Sequence, residues 1–158
     1  MEGNIKYARV DGVEYIRFTG VIRYSRCAGL ESYIDKTFET PDFSDIAIDL
    51  ENAQMLDSTA LGLLAKIAIE FKAISDSKPV IFIRGGELAH ILKRVCFDQV
   101  FNIVSDTNTT DNMNFVEIDS VPTSEEGVLK CVIDAHRHLA EVSEQNSHYF
   151  TDITKALA

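Results

Sequence analysis

Asp57, Ser58 and Thr59 are the residues of this 158-residue chain best placed to do chemistry. A short apolar run over residues 46–50 leads into a polar loop, the loop ends at Leu56-Asp57-Ser58-Thr59, and an apolar helical stretch follows at once. A serine there stands at a helix start, where backbone N–H groups lack intrahelical partners and anions are favoured. Ser58 can be a simple cap, the commoner outcome on residue type alone, or it can carry a phosphoryl group as a switch. Asp57 has no histidine or carboxylate partner within the motif, so capping or recognition suits it better than acid–base catalysis.

Other constellations are weaker. Cys131, Asp134 and His138 fall at near-helical steps and are conceivable metal ligands, but no second ligand cluster accompanies them, and a solvated helix face is the better reading. Gly85-Gly86-Glu87 is a turn and helix start without the pattern of a phosphate-binding loop. The cysteines, Cys27, Cys96 and Cys131, are odd in number and widely spaced, which argues for free thiols in a reducing compartment; Cys96 reads as core filling.

The elements that must position the motif follow from periodicity. Residues 5–10 and 13–19 alternate apolar and polar around Asp11-Gly12, a hairpin with Gly20 ending its second strand. A helix is expected over about 25–38, with Leu30, Tyr33, Ile34, Thr37 and Phe38 on one stripe. Residues 46–50 form a buried strand. The helix over 58–74 is apolar on most sides, with Lys66, Glu70 and Lys72 as its wetter positions. A strand over 80–83, a helix over 87–95 with Lys93 and Arg94 exposed, and a strand over 100–104 come next. Residues 105–114 read as a mobile or variable loop, and 114–118 as a further strand. Thr123 and Glu126 stand at capping-box spacing before a stripe of Val128, Leu129, Val132, Ile133, Leu139 and Val142. Tyr149, Phe150, Ile153 and Leu157 continue it, with a break expected over 143–147. The strand–helix–strand crossovers imply an α/β fold with a parallel or mixed sheet and helices packed against it.

The net charge of −10 and the absence of a basic patch disfavour direct nucleic-acid binding and suit a partner with a basic surface. No apolar run approaches the roughly 20 residues a membrane helix needs, and the N-terminus lacks a secretory signal, so a cytoplasmic protein without membrane insertion is expected.

The element order and Asp57-Ser58-Thr59-Ala60-Leu61-Gly62, supported by residues 89–97 and Phe101-Asn-Ile103, resemble the STAS domain, which includes bacterial anti-sigma factor antagonists and the cytoplasmic tails of sulfate transporters. The resemblance covers about residues 5–104. It implies a single STAS-like domain over 1–158, with an extended C-terminal strand and helix part over about 112–158. In the antagonists the serine after the motif aspartate is phosphorylated, here Ser58, with Thr59 as second choice. The resemblance therefore implies a non-enzymatic partner switch that needs no cofactor or metal. Its unphosphorylated form would bind an anti-sigma factor and release a sigma factor; a serine kinase and a phosphatase would set its state. Asp57, Ser58, Thr59, Leu61, Arg23 and Tyr24 are the expected partner-binding residues. Two positions depart from the family pattern. Ala60 replaces a common glycine, and Arg23 stands where an acidic residue is frequent and is placed to pair with Asp57 or a phosphate. The alternative is a STAS-type accessory subunit of a membrane transport complex, in which Ser58 or Thr59 contacts another subunit.

Overall fold

The computed structural model describes residues 3–105 and 112–157, with side chains described to residue 150. Strands β1 (Asn4–Val10) and β2 (Val13–Ile22) form the antiparallel hairpin that the alternation predicts. Its two turn residues, Asp11 and Gly12, both take positive φ, 52° and 79°, which matches the twist of the flanking strands. Gly20 does not end β2. It takes φ 77° at a register shift between Gly20 and Val21, and the bent strand continues to Ile22.

That extension matters because β2 serves as a rail for two later strands. β3 (Asp45–Asp49) runs parallel to its first half, and β4 (Ala53–Leu56) runs parallel to its last residues. The sequence reading placed a loop where β4 lies. The strand forms because the far end of β2 supplies backbone partners, down to Asp57 N–H on the Ile22 carbonyl.

After β2 a 3-10 turn over Tyr24–Arg26 leads into α1 (Cys27–Glu39), so this helix starts slightly later than expected. The remaining elements are α2 (Ser58–Lys72), β5 (Val80–Phe82), α3 (Glu87–Arg94), β6 (Asn102–Val104), β7 (Val116–Glu117), α4 (Glu125–Val142) and α5 (Glu144–Leu157). The seven-stranded mixed sheet has the order β6-β5-β3-β2-β1-β7, with β4 beside β2. Helix α4 is capped by Ser124, whose hydroxyl accepts from Gly127 N–H at 3.1 Å, one residue later than the Thr123 box expected. The break between the last two helices falls at Ser143. Most of the expected loop over 105–114 and the side chains of Ile153 and Leu157 lie outside the described residues.

The core is one cluster from Ile5 to Phe150, with α1, α2 and α4 packed against one another. Lys66, expected at the wetter edge of α2, is buried; its Nζ reaches Asp35 Oδ1 on α1 at 2.5 Å. Burying a lysine stem while pairing its charge avoids the cost of an isolated buried cation. Glu14 is 2% exposed on β2 and is held by Arg9 Nε at 2.7 Å and by the Tyr33 hydroxyl. Burial and the Glu14 carboxylate push the Tyr33 hydroxyl far above its ordinary value. A raised folded-state value favours the protonated phenol, so Tyr33 contributes stability that is complete below roughly pH 10 and is lost above it. In an alkaline titration of tyrosinate absorbance, one of the five tyrosines is expected to ionise only as the fold opens, and Tyr33→Phe is expected to abolish that lagging fraction.

Candidate functional site

β2 and β4 end side by side, and α2 begins where they stop. Asp57, in extended backbone at φ −76° and ψ 175°, is the cap of α2. Its Oδ1 accepts from Ala60 N–H at 2.9 Å and its Oδ2 from Tyr24 N–H at 2.7 Å. One carboxylate therefore ties the helix start to the turn that follows β2. Capping, one of the two roles suggested for Asp57, is what it does, and two alternatives left open by the motif fall away. Ser58 is not the cap; it occupies the first helical position. Arg23 does not pair with Asp57; the Asp57 Oδ2 partner from this turn is the Tyr24 backbone N–H, and Arg23 stays exposed. Replacing Asp57 by Ala is expected to cost about 0.5–2 kcal/mol for the lost cap alone. Asp57→Asn, which can still accept from Ala60, should fall between the two in denaturant midpoint.

With its capping duty taken by Asp57, the Ser58 side chain is exposed and free for another role. Its hydroxyl lies 2.9 Å from Nε2 of His136, on α4. His136 Nδ1 lies 2.7 Å from the Val132 carbonyl one turn earlier. A carbonyl can only accept, so Nδ1 carries the hydrogen, and in the neutral ring Nε2 accepts from the Ser58 hydroxyl. His136 itself is 5% exposed, with the Phe150 ring packed 6.1 Å away.

The other expected contact residues divide sharply. Tyr24 is 53% exposed, and Met55, which the sequence reading did not single out, is 40% exposed at the end of β4. Thr59 and Leu61 are buried, at 3% and 5%. They face the core because α2 is covered by both α1 and α4, so neither is presented to a kinase or a partner in this conformation. Of the residues near the start of α2 along the chain or through Asp57, Arg23, Tyr24, Met55 and Ser58 are thus the exposed ones.

Helix α4 reaches Ser58 through an unusually close approach. A Cβ built on Gly62 would lie 2.1 Å from the Ala135 carbonyl oxygen, so the two helices meet backbone to backbone. One residue past that contact stands His136. A signal for it was present in the sequence: Cys131, Ala135, Leu139 and Val142 share the buried stripe, and His136 adjoins it.

The conceivable metal set does not assemble. Cys131 turns into the core, where its thiol hydrogen-bonds with that of Cys27, and this contact together with burial pushes the Cys131 thiol up. His138 binds the Asp134 backbone, and Asp134 pairs with Arg137 at 3.6 Å. Among the described residues no three such ligands cluster, and no helix is long and apolar enough to cross a membrane. Two surface cavities, of about 650 Å³ beside Lys72 and Pro79 and about 600 Å³ between α3 and α5, are lined by neither Ser58 nor His136.

The geometry can be set beside known proteins. No curated protein sequence matches the chain. Among solved structures, the anti-sigma factor antagonist SpoIIAA in its unphosphorylated form is similar at a TM-score of 0.54 and 15% identity, over 65% of this chain and 89% of that one. An anti-sigma factor antagonist from Mycobacterium paratuberculosis is similar at 0.55 and 20% identity, over 70% and 90%. At such identities the likeness is one of fold. The model of the STAS domain matches residues 4–110, well over half of the sequence and including the whole Ser58 motif, and the chain therefore belongs to the STAS domain family.

Proposed function

We propose that this chain is a bacterial anti-sigma factor antagonist, acting in the cytoplasm as a partner switch controlled by phosphorylation of Ser58. The observation that carries this reading is the division of labour at the start of α2. Asp57 caps the helix, which leaves Ser58 exposed at its first position, with Tyr24 on the turn tied to Asp57 and Met55 at the end of β4 exposed as well. Two neighbours in fold are anti-sigma factor antagonists, and one of them is described in its unphosphorylated form.

The physical logic is local. A phosphoserine adds about −1.5 to −2 charges at neutral pH, and a helix N-terminus tolerates them. The fold therefore survives the modification. A protein docked over Arg23, Tyr24, Met55 and Ser58 has to bury a site that has become net negative, at a cost of several kcal/mol. Phosphate thus releases the partner while the domain stays intact. A serine kinase and a phosphatase set the state, and the bound partner is an anti-sigma factor.

Tandem mass spectrometry on protein isolated from its own cells, with phosphatase inhibitors present, tests the reading. Phosphate on Ser58 in a fraction of the molecules, with an anti-sigma factor captured on Ser58→Ala bait, supports it. An unmodified Ser58 under every growth condition, together with copurification of a transporter ATPase, would replace it with the accessory-subunit role.

A further inference from the structure

We propose that His136 is the phosphate's partner within the chain: once Ser58 is phosphorylated, the imidazole becomes a cation that holds the phosphate, and α4 stays clamped over the start of α2. This rests on the reading of Ser58 as the modified residue and adds a second, built-in component to it. Helix α4 lies beyond residues 4–110 matched to the STAS domain, so this component is supplied by the C-terminal part of the chain.

The geometry needs little change between the two states. In the unmodified chain the Ser58 hydroxyl donates to His136 Nε2 at 2.9 Å, while Nδ1–H donates to the Val132 carbonyl at 2.7 Å. In the phosphorylated chain the donor and acceptor at Nε2 exchange roles. Nε2 takes up a proton from solvent and donates to a phosphate oxygen, and Nδ1–H keeps Val132. The ring is held in place by its own helix in both states, which is what a charge-assisted bond of good geometry requires. A neutral imidazole 5% exposed beside a dianion would otherwise be left with an acceptor facing an acceptor.

The charged groups around the pair leave the role to His136. On the α2 side, Asp57 is an acceptor, bonded to Ala60 and Tyr24 N–H, and offers a phosphate no donor. On α4, Arg137 is 58% exposed and paired with Asp134, and His138 binds the Asp134 backbone. From α5 the group packed on His136 is the apolar ring of Phe150. Arg23, on the turn after β2, is exposed and makes no ion pair among the described residues.

The test uses the full chain with phosphoserine installed at position 58 during translation. The imidazole resonances of His136 are compared by NMR in the phosphorylated and unmodified proteins. At matched pH the phosphorylated protein is expected to show the His136 ring signals of an imidazolium bonded through Nε2–H where the unmodified protein shows the neutral ring, with amide protection of α4 retained. Ring signals unchanged by phosphate, or loss of α4 protection on phosphorylation, overturn the proposal, and neither readout depends on a variant. A phosphorus titration of the phosphorylated chain gives the reciprocal view. The phosphate should ionise at lower pH in the wild type than in His136→Gln, and equal midpoints in two folded proteins would count against the pairing. Phosphosite mapping in cells reads the switch itself, so a failure there leaves the His136 pairing standing, whereas a failure here leaves a switch whose phosphate is unheld.

Discussion

A Ser58→Asp chain is expected to melt within about 1 kcal/mol of the wild type and to bind its partner at least a hundredfold more weakly. The first half follows from position. A carboxylate in the first turn of α2 meets the positive end of a helix dipole, worth roughly 0.3–1 kcal/mol in its favour. His136 Nε2 stands 2.9 Å from the present hydroxyl, ready to donate when protonated. The second half follows from desolvation. A partner covering Tyr24 and Met55 must strip water from the new charge, and a penalty near 2.7 kcal/mol is already a hundredfold in affinity. Pairing with His136 does not rescue the partner. A phosphate of about −2 beside one imidazolium still leaves a net negative site where a neutral hydroxyl stood. Titration calorimetry with the anti-sigma factor captured on Ser58→Ala bait gives the affinity, and denaturant midpoints give the stability. Tight binding by the Asp variant would refute the charge-exclusion account.

Gly62→Val is expected to detach α4 or to destabilise the chain by about 1–3 kcal/mol or more, although the substitution lies in an ordinary-looking helix interior. The reason is the 2.1 Å between a Cβ at Gly62 and the Ala135 carbonyl oxygen. Backbone cannot swing aside like a flexible side chain, so the two helices must separate. Separation exposes Cys131, Ala135 and Leu139, which are buried at present, and removes His136 from Ser58. Native-state hydrogen exchange should show lost protection confined to residues 125–142 if α4 detaches, or a global drop in stability if it stays and strains. Unchanged exchange and an unchanged denaturant midpoint would show that the contact is looser than the structure has it. If α4 detaches without unfolding, Gly62→Val also supplies a chain whose Ser58 lacks its histidine, a useful comparison for the phosphate titration.

What the sequence made legible was local. The alternation in β1 and β2 marks one buried face, and Asp11-Gly12 marks a turn that needs two positive φ values. The helical stripe of α1, the break at Ser143 and the start of α2 at Ser58 all rest on spacing or turn chemistry within a few residues. The stripe expected in α4 was misplaced: Leu139 and Val142 are buried as expected, but Leu129 is 44% exposed, and the rest of the buried face is Cys131, Ala135 and His136, which the larger apolar residues beside them masked. The place of the motif at a helix start was also readable, because an aspartate and a serine before an apolar run are helix-start chemistry.

Tertiary contact decided which role each residue takes. β4 was hidden, since Gln54 and Met55 are polar or exposed and the strand it pairs with is the far end of β2, past a glycine kink. Asp57 caps α2, a role its residue type already suited, and only the tertiary structure adds Tyr24 N–H from the turn after β2 to its second oxygen. Lys66, Thr59 and Leu61 lost their surface because α1 and α4 cover α2 from two sides. Ser58 and His136 are 78 residues apart, and no periodicity links them. They meet because Gly62 lacks a side chain where Ala135 presents its backbone, and the worth of a glycine at such a crossing exists only once the second helix is there.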